Sequence, residues 1–383
     1  MKAELQEIAS QFALEGAITA IDSLGEGFIN DTFIVRTAGD APDYILQRKN
    51  KNIFPDVPAM MENIRKVTDH IRRRVAAAGG DPKREAMTVV ATHDGKLCHV
   101  DAQGEYWADF DAGIVRAEAE ARRYNISVRK FFFDQYDRAS FEKLLAELRD
   151  EAFDGAVIAT LFAEMVAPFV RELDERGIPY VFVDSNIPEC NQLAYFGTSS
   201  FDAGVVAARL LSDRLDPGSD IVVGNIIHRG DGGSNQCRSR EEGFRSYLRE
   251  KGFRGQLYYA ALRLDDEGYN REVLDELFLR HPAIAGAVTF NSTCYILAGY
   301  LAACRRTDVR LVGYDVIRRN GQILGAGVVT ALIAQRPEAQ GYRGVMALCE
   351  WLVERRRPET TVNHMPIDIL LKEHIQYYKN NLI

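Results

Sequence analysis

The chain opens with MKAELQEIASQFALEG, whose apolar side chains recur at helical spacing and predict an amphipathic helix. Three β-rich stretches follow at 17–24, 31–38 and 43–50, separated by turn chemistry at Gly25/Gly27 and at Gly39-Asp40-Ala41-Pro42. A helix over 57–78 ends at Gly79-Gly80. AMTVVATHDGKLCHVDA then predicts a hairpin with Asp94-Gly95 at its tip, and KLCHVDA (96–102) as its second strand.

From residue 104 the rhythm changes to regular strand–helix alternation. Apolar runs at 128–133, 155–161, 179–185, 220–227, 255–262, 285–291, 309–315, 327–334 and 366–371 predict strands. Between them, 109–124, 138–151, 163–176, 200–214, 238–251, 268–280, 293–305 and 338–356 predict helices. Repeated β–α units imply parallel, doubly wound sheets. About 280 residues of this pattern suit two Rossmann-like lobes.

Composition narrows the function classes. Hydrophobic content of 46% with 27% charged residues is that of a chain with sizeable cores, and a formal charge of −8 gives no basic face for nucleic acid. Arg72-Arg73-Arg74 ends a predicted helix, where cations complement the dipole. Six cysteines lie scattered without a C-x-x-C pair, which favours reduced thiols and a cytoplasmic protein over disulfides or zinc. His93, Cys98 and His99 lack a fourth ligand, so no metal site is expected. The first helix has no continuous apolar core and no run reaches membrane-spanning length, so neither a signal peptide nor a membrane partner is expected.

In LGEGFINDTF the glycines would let backbone N–H groups approach a phosphate, although a plain tight turn explains them equally well. Together with YILQRKN, NIFPDV and MMENI, this turn makes residues 1–107 resemble the N-lobe of aminoglycoside-phosphotransferase-like kinases, near the N-acetylhexosamine kinase branch. The resemblance implies a small α+β unit over 1–103. Gly25, Gly27 and Asn30 would cover a nucleotide, Arg48 (or less favourably Lys49) would pair its phosphates, and Glu62 would orient that cation. An Arg48–Glu62 pair would equally serve as a surface ion pair. A kinase also needs a catalytic loop, and the best approximation, HRGDGGSN (228–235), has the wrong spacing. Catalysis is therefore not expected, and ATP with Mg would be cofactors only if this lobe worked.

Ligands of doubly wound sheets sit beyond the carboxyl ends of strands. Those ends carry Phe162, Asp184-Ser185, Asn291-Ser292, Asp315 and Gln335, with Arg240 on a helix after a Gly-rich loop. Helix capping or turn formation is an equal reading for each alone. CRSREEGFRSYL, VTFNSTCYILAGYLAA, VRLVGYDVI and ALIAQRPEAQGYRGVMAL resemble successive signatures of the ligand-binding core of LacI-type regulators, over 104–383. That resemblance implies an α/β type I periplasmic-binding-protein fold, with lobe 1 at 104–196 and 335–357 and lobe 2 at 197–334 and 358–383. It implies a small sugar as ligand, contacted by Asp184, Arg240, Asn291, Asp315 and Gln335, with Tyr106, Trp107 and Phe162 as apolar walls. It also allows a homodimer through the core. No helix-turn-helix pattern precedes the core, so direct DNA binding is not expected. GEYW (104–107) reads as a seam between the two resemblances. The rival readings are a sugar kinase with an unrecognisable C-lobe and a fusion without function.

Overall fold

The computed structural model describes residues 2–24, 31–49, 57–93, 95–99, 102–133, 138–227, 234–264 and 266–378. The chain divides into two compact units, 1–101 and 102–383.

The first unit contains α1 (Lys2–Ser10), β1 (Ile18–Ser23), β2 (Asp31–Thr37), β3 (Tyr44–Arg48), α2 (Val57–Ala77) and α3 (Pro82–Glu85). The three strands form one antiparallel sheet in the order β1-β2-β3, with Ile21 opposite Val35 and Phe33 opposite Leu46. Its small core gathers Ala9, Ile21 and Val35, with Leu5, Leu14, Phe33, Tyr44 and Leu46 packed around them. The expected hairpin over 87–102 does not form among the described residues. Thr92 makes an isolated bridge to Phe12 and closes a tight turn with Lys96, while 96–99 carry no strand. The Asp94-Gly95 pattern specified a turn, and Gly95 does take a positive φ of 80°. The flanking backbone bonds go elsewhere, with Ala13 N–H donating to Ala91 O and His93 N–H to Gln11 O.

The second unit begins with α4 (Ala102–Ala121), α5 (Arg138–Arg149), β4 (Ala156–Ala159), α6 (Ala163–Glu175), β5 (Tyr180–Val183) and β6 (Ala194–Gly197). It continues through α7 (Ser200–Ser212), β7 (Asp220–Ile226), α8 (Asn235–Glu250), β8 (Leu257–Leu262), α9 (Glu267–Arg280), β9 (Ile284–Thr289), α10 (Cys294–Ala303), β10 (Arg310–Tyr314) and α11 (Arg318–Gly325). It closes with β11 (Ala331–Ala334), α12 (Pro337–Glu354), β12 (Val362–His364), β13 (Asp368–Leu370) and α13 (Ile375–Tyr378). Lobe 1 is a parallel sheet in the order β12-β6-β5-β4; lobe 2 is a six-stranded sheet in the order β13-β11-β10-β9-β7-β8 with β13 antiparallel. Helices start where side chains satisfy their first N–H groups: Ser199 accepts from Asp202, Ser234 from Cys237 and Asp266 from Tyr269. Helix α12 packs on the lobe 1 sheet, where Ala347 and Leu348 meet Val181 and Val183. The last crossing lies further along the chain than the expected residue 357, because β12 pairs with β6 before β13 joins β11.

The two lobes are versions of one arrangement. Helices α7 and α8 touch through Gly204 and Gly243, where a Cβ would stand 1.8 Å from Arg240 O and 2.0 Å from Phe201 O. Helices α12 and α4 touch in the same reciprocal way through Gly341 and Gly113. Each sheet ends a strand in an aspartate with positive φ: Asp184 after β5 at 66° and Asp315 after β10 at 63°. The N–H of each donates to the neighbouring strand, Asp184 to Phe196 O and Asp315 to Ile333 O.

Residues 128–133, expected as a buried strand, depart from this repeat. They join no ladder among the described residues, and Phe131 and Phe132 are exposed. An apolar run becomes a strand only with a neighbour to bond, and the described residues supply none.

Candidate functional site

Where the two lobes meet lies a buried polar network built from the ends of strands and the first turns of helices. Asp184 is 2% exposed, and its Oδ1 accepts from the Tyr106 hydroxyl at 2.5 Å. The Gln236 amide, from lobe 2, donates to Asp184 Oδ1 at 3.2 Å and to Gln335 Oε1 at 3.3 Å. Gln335 in turn donates to Asp315 Oδ1 at 2.7 Å and accepts from Thr198 at 3.1 Å. Gln340 holds the frame, accepting from Asp184 N–H at 3.0 Å and donating to Gln335 O at 2.8 Å. Asn320 donates to the backbone carbonyls of Tyr314 and Asp315 and fixes the loop after β10.

Arg240 is 1% exposed and lies 4.4 Å above the Tyr314 ring. Its Nη1 donates to Phe290 O at 2.7 Å, while Nε and Nη2 have no partner. Two buried guanidinium donors without acceptors are costly, so an acceptor supplied from outside the chain would stabilise this arrangement. Burial opposes the Arg240 charge, but Tyr314, Asp315 and Asp184 outweigh it and hold its pKa above the usual value. Burial pushes Asp315 up to about 6, against the pull of Arg240 and the Gln335 hydrogen bond and with help from Asp184. Burial, then the two carboxylates, raises the Tyr106 hydroxyl well above its usual range, so it acts as a donor. A hydroxyl group can accept from Arg240 and donate to a carboxylate at once, which matches these unmet needs to a polyhydroxylated molecule.

The structure thus joins four of the expected residues, Tyr106, Asp184, Asp315 and Gln335, in one hydrogen-bonded network and places the Arg240 charge beside it. Asn291 accepts from Thr293 N–H and from its hydroxyl, a role in starting α10. Trp107 packs edge-on to Tyr106 at 5.2 Å and belongs to the lobe 1 core. Phe162 stacks among Phe133 and Phe141 in the core on the other face. Gln236, Thr198 and Gln340 were not singled out from the sequence. Gln236 lies one helical turn before Arg240, and that i, i+4 spacing on one face is the signal that marks it.

In the first unit, Gly25, Gly27 and Asn30 lie outside the described residues. Glu62 does not pair with Arg48; it binds Arg65 at 2.6 Å and Lys66 at 3.8 Å along its own helix. Partners one turn away need no long-range placement, and they hold the Glu62 carboxyl below its usual range. His228 and Asp231 of the candidate catalytic loop also lie outside the described residues. No cluster of three or more His, Cys, Asp or Glu suited to a metal occurs among the described residues.

Comparison with known proteins agrees with this geometry. The sequence profile of the periplasmic binding protein domain family matches residues 98–354. The ribose import binding protein RbsB of Escherichia coli (strain K12) is 23% identical over 232 residues, which is 60% of this chain and 74% of that protein. A putative LacI transcriptional regulator from Bacteroides fragilis superposes with a TM-score of 0.68 at 38% identity, covering 73% of this chain and 96% of that one. GanP, a glucose-galactose binding protein from Geobacillus stearothermophilus, shares the fold at a TM-score of 0.61 and 18% identity, over 70% of this chain and 93% of that one. With two lobes joined by a buried polar network and a profile match over most of its length, this chain belongs to the periplasmic binding protein domain family.

Proposed function

We propose that the unit over 102–383 senses a small neutral carbohydrate, closing its lobes over the sugar as the effector domain of a LacI-type regulator in the cytoplasm. The observation that carries this reading is Arg240, fully buried beside Asp315 with two guanidinium donors unpaired. A sugar hydroxyl would accept from Arg240 and donate to Asp315 or Asp184, with Asn291 adding a polar side chain at the cleft from lobe 2. Tyr106, Trp107 and Phe162 would form its apolar walls. Gln236 already reaches from lobe 2 to Asp184 in lobe 1. A ligand gripping both lobes would add to that bridge and shift an open–closed equilibrium by its higher affinity for the closed form. The 38% identity to a putative LacI regulator supports the regulatory assignment. The order helix, three antiparallel strands, helix supports reading the first unit as a kinase N-lobe fragment, to which we assign no catalysis.

A thermal-shift screen of the full chain against neutral pentoses, hexoses and their acids tests this, because a ligand of the native state raises its apparent stability. A rise with at least one neutral sugar is expected. No shift with any sugar, or a shift only with nucleotides, would overturn the reading.

A further inference from the structure

Gln236 belongs to lobe 2 by its place in the chain and reaches lobe 1 by its hydrogen bonds. It lies in the first turn of α8, whose later residues Phe244 and Leu248 are buried in the lobe 2 core. Its Nε2 donates to Asp184 Oδ1 at 3.2 Å and to Asp184 O at 3.3 Å, at the end of β5 in lobe 1. The same nitrogen donates to Gln335 Oε1 at 3.3 Å. Ser234 caps the helix two residues earlier, which fixes the backbone that carries Gln236.

The surroundings dictate which end of the amide faces them. A backbone carbonyl and a carboxylate only accept. Gln335 uses its own N–H on Asp315 Oδ1, which turns its Oε1 toward Gln236 and Thr198. Three acceptors therefore converge on one nitrogen, and only the donor end of Gln236 suits the position. The result is an unbroken chain of hydrogen bonds from Tyr106 through Asp184, Gln236 and Gln335 to Asp315. All five residues are buried, and the Gln236–Asp184 step crosses from one lobe to the other.

This step differs from the bonds of the crossing segments. Met365 N–H to Gly197 O, Thr198 to Gln335 and Arg336 to Asp368 tie those segments to one another. Gln236 and Asp184 instead join a helix of one lobe to a strand end of the other, across the gap that a rotation of the lobes would widen. Beside them Arg240 keeps Nε and Nη2 without partners, and the Asp184 carboxylate acts on its charge from lobe 1. Unmet donors at this boundary favour opening, which lets water reach them. The Gln236 bond opposes that tendency.

We propose that Gln236 is a built-in latch: its bond to Asp184 holds the lobes together without a ligand, so the unliganded chain populates the closed arrangement. A ligand then strengthens a bias already present. One acceptor is a buried carboxylate, which makes this donor stronger than one between neutral groups. Its removal should move the closed-to-open ratio at least tenfold. Apparent affinity for any ligand of the closed form scales with the closed fraction, so the latch also tunes sensitivity. The inference concerns the chain's own contacts and holds whether or not the site binds a sugar.

Double electron–electron resonance on the full chain without ligand tests the latch. Spin labels on keto amino acids placed at Glu142 of α5 and Glu272 of α9, both exposed and one on each lobe, leave the six cysteines untouched. The wild type should show the distance of the closed arrangement in at least half of the molecules. Gln236→Leu removes the donor and keeps most of the volume, while Gln236→Glu sets an acceptor against Asp184. Each variant, shown folded by its thermal transition, should transfer population to a second, distinct distance, with the ratio changed at least tenfold. Two variants are used so that a folding defect in one leaves the other informative. Glu242→Gln, on the exposed face of the same helix, should keep the wild-type distribution. A wild type that is mostly open, or Gln236 variants that keep the wild-type distribution, would overturn the proposal. So would an equal shift in Glu242→Gln, which would trace the effect to the helix and not to the bond.

Discussion

Asp315 makes the stability of the second unit depend on pH in an unusual direction. Its carboxyl titrates at about 6 in the folded chain, against roughly 3.9 for an aspartate in an unfolded one. The folded state therefore binds the proton more tightly, and stability falls as pH rises through the window from about 4 to 6. A difference of about 2 pKa units corresponds to about 3 kcal/mol lost between pH 4 and pH 7 from this group alone. The surface ion pairs move the opposite way, because Glu62, Glu151 and Glu172 are held low by Arg65, Arg129 and Arg149. Exposed pairs of this kind contribute little each. Urea unfolding of the wild type and of Asp315→Asn at half-unit intervals from pH 4 to pH 7.5 isolates the contribution. The difference between the two should tilt by about 3 kcal/mol across the window, in favour of the variant at high pH. Parallel curves would refute the argument that burial dominates at this carboxyl. A sugar that donates a hydrogen bond to the ionised Asp315 lowers its pKa, so affinity should rise up to about fivefold between pH 5 and pH 6, roughly double again towards pH 7, and level off above that.

Other outcomes follow from the packing. Gly204→Ala would drive a Cβ to 1.8 Å from Arg240 O, which is backbone and cannot rotate away. Separating α7 from α8 should cost about 1–3 kcal/mol by thermal or urea unfolding and should weaken sugar binding, because Arg240 moves with its carbonyl. Arg48→Ala lies in the first unit and should leave sugar affinity unchanged by calorimetry.

The sequence carried the binding half well because its signals are local. A strand that ends in Gly-Tyr-Asp leaves Asp315 at the carboxyl edge of the sheet, and Asp184 and Gln335 follow apolar runs in the same way. Thr198 was not legible, because nothing in its own neighbourhood says which lobe it will face, and Gln236 was marked only by its place one helical turn before Arg240. Residues 128–133 had the apolar content of a strand but not the neighbour, and a ladder is a property of two segments. The 87–102 hairpin failed similarly among the described residues: Thr92 and Lys96 close a turn, but 96–99 carry no strand. For Glu62, two cations on its own helix prevailed over one fourteen residues back in sequence. The crossing expected at 357 slipped because β12 is only three residues long, too short for periodicity to mark.

The central claim is that Arg240 and Asp315 hold a sugar, and isothermal calorimetry on the best ligand of the screen tests it directly. Arg240→Met keeps much of the buried volume while removing the donors, and Asp315→Asn keeps the shape while removing the charge. Hydrogen bonds to charged groups are worth roughly 1.5–3 kcal/mol, so each variant, shown folded by its thermal transition, should bind about tenfold to a hundredfold more weakly. Wild-type affinity in both variants, with binding abolished by Arg48→Ala, would contradict the account and move the site to the other half of the chain.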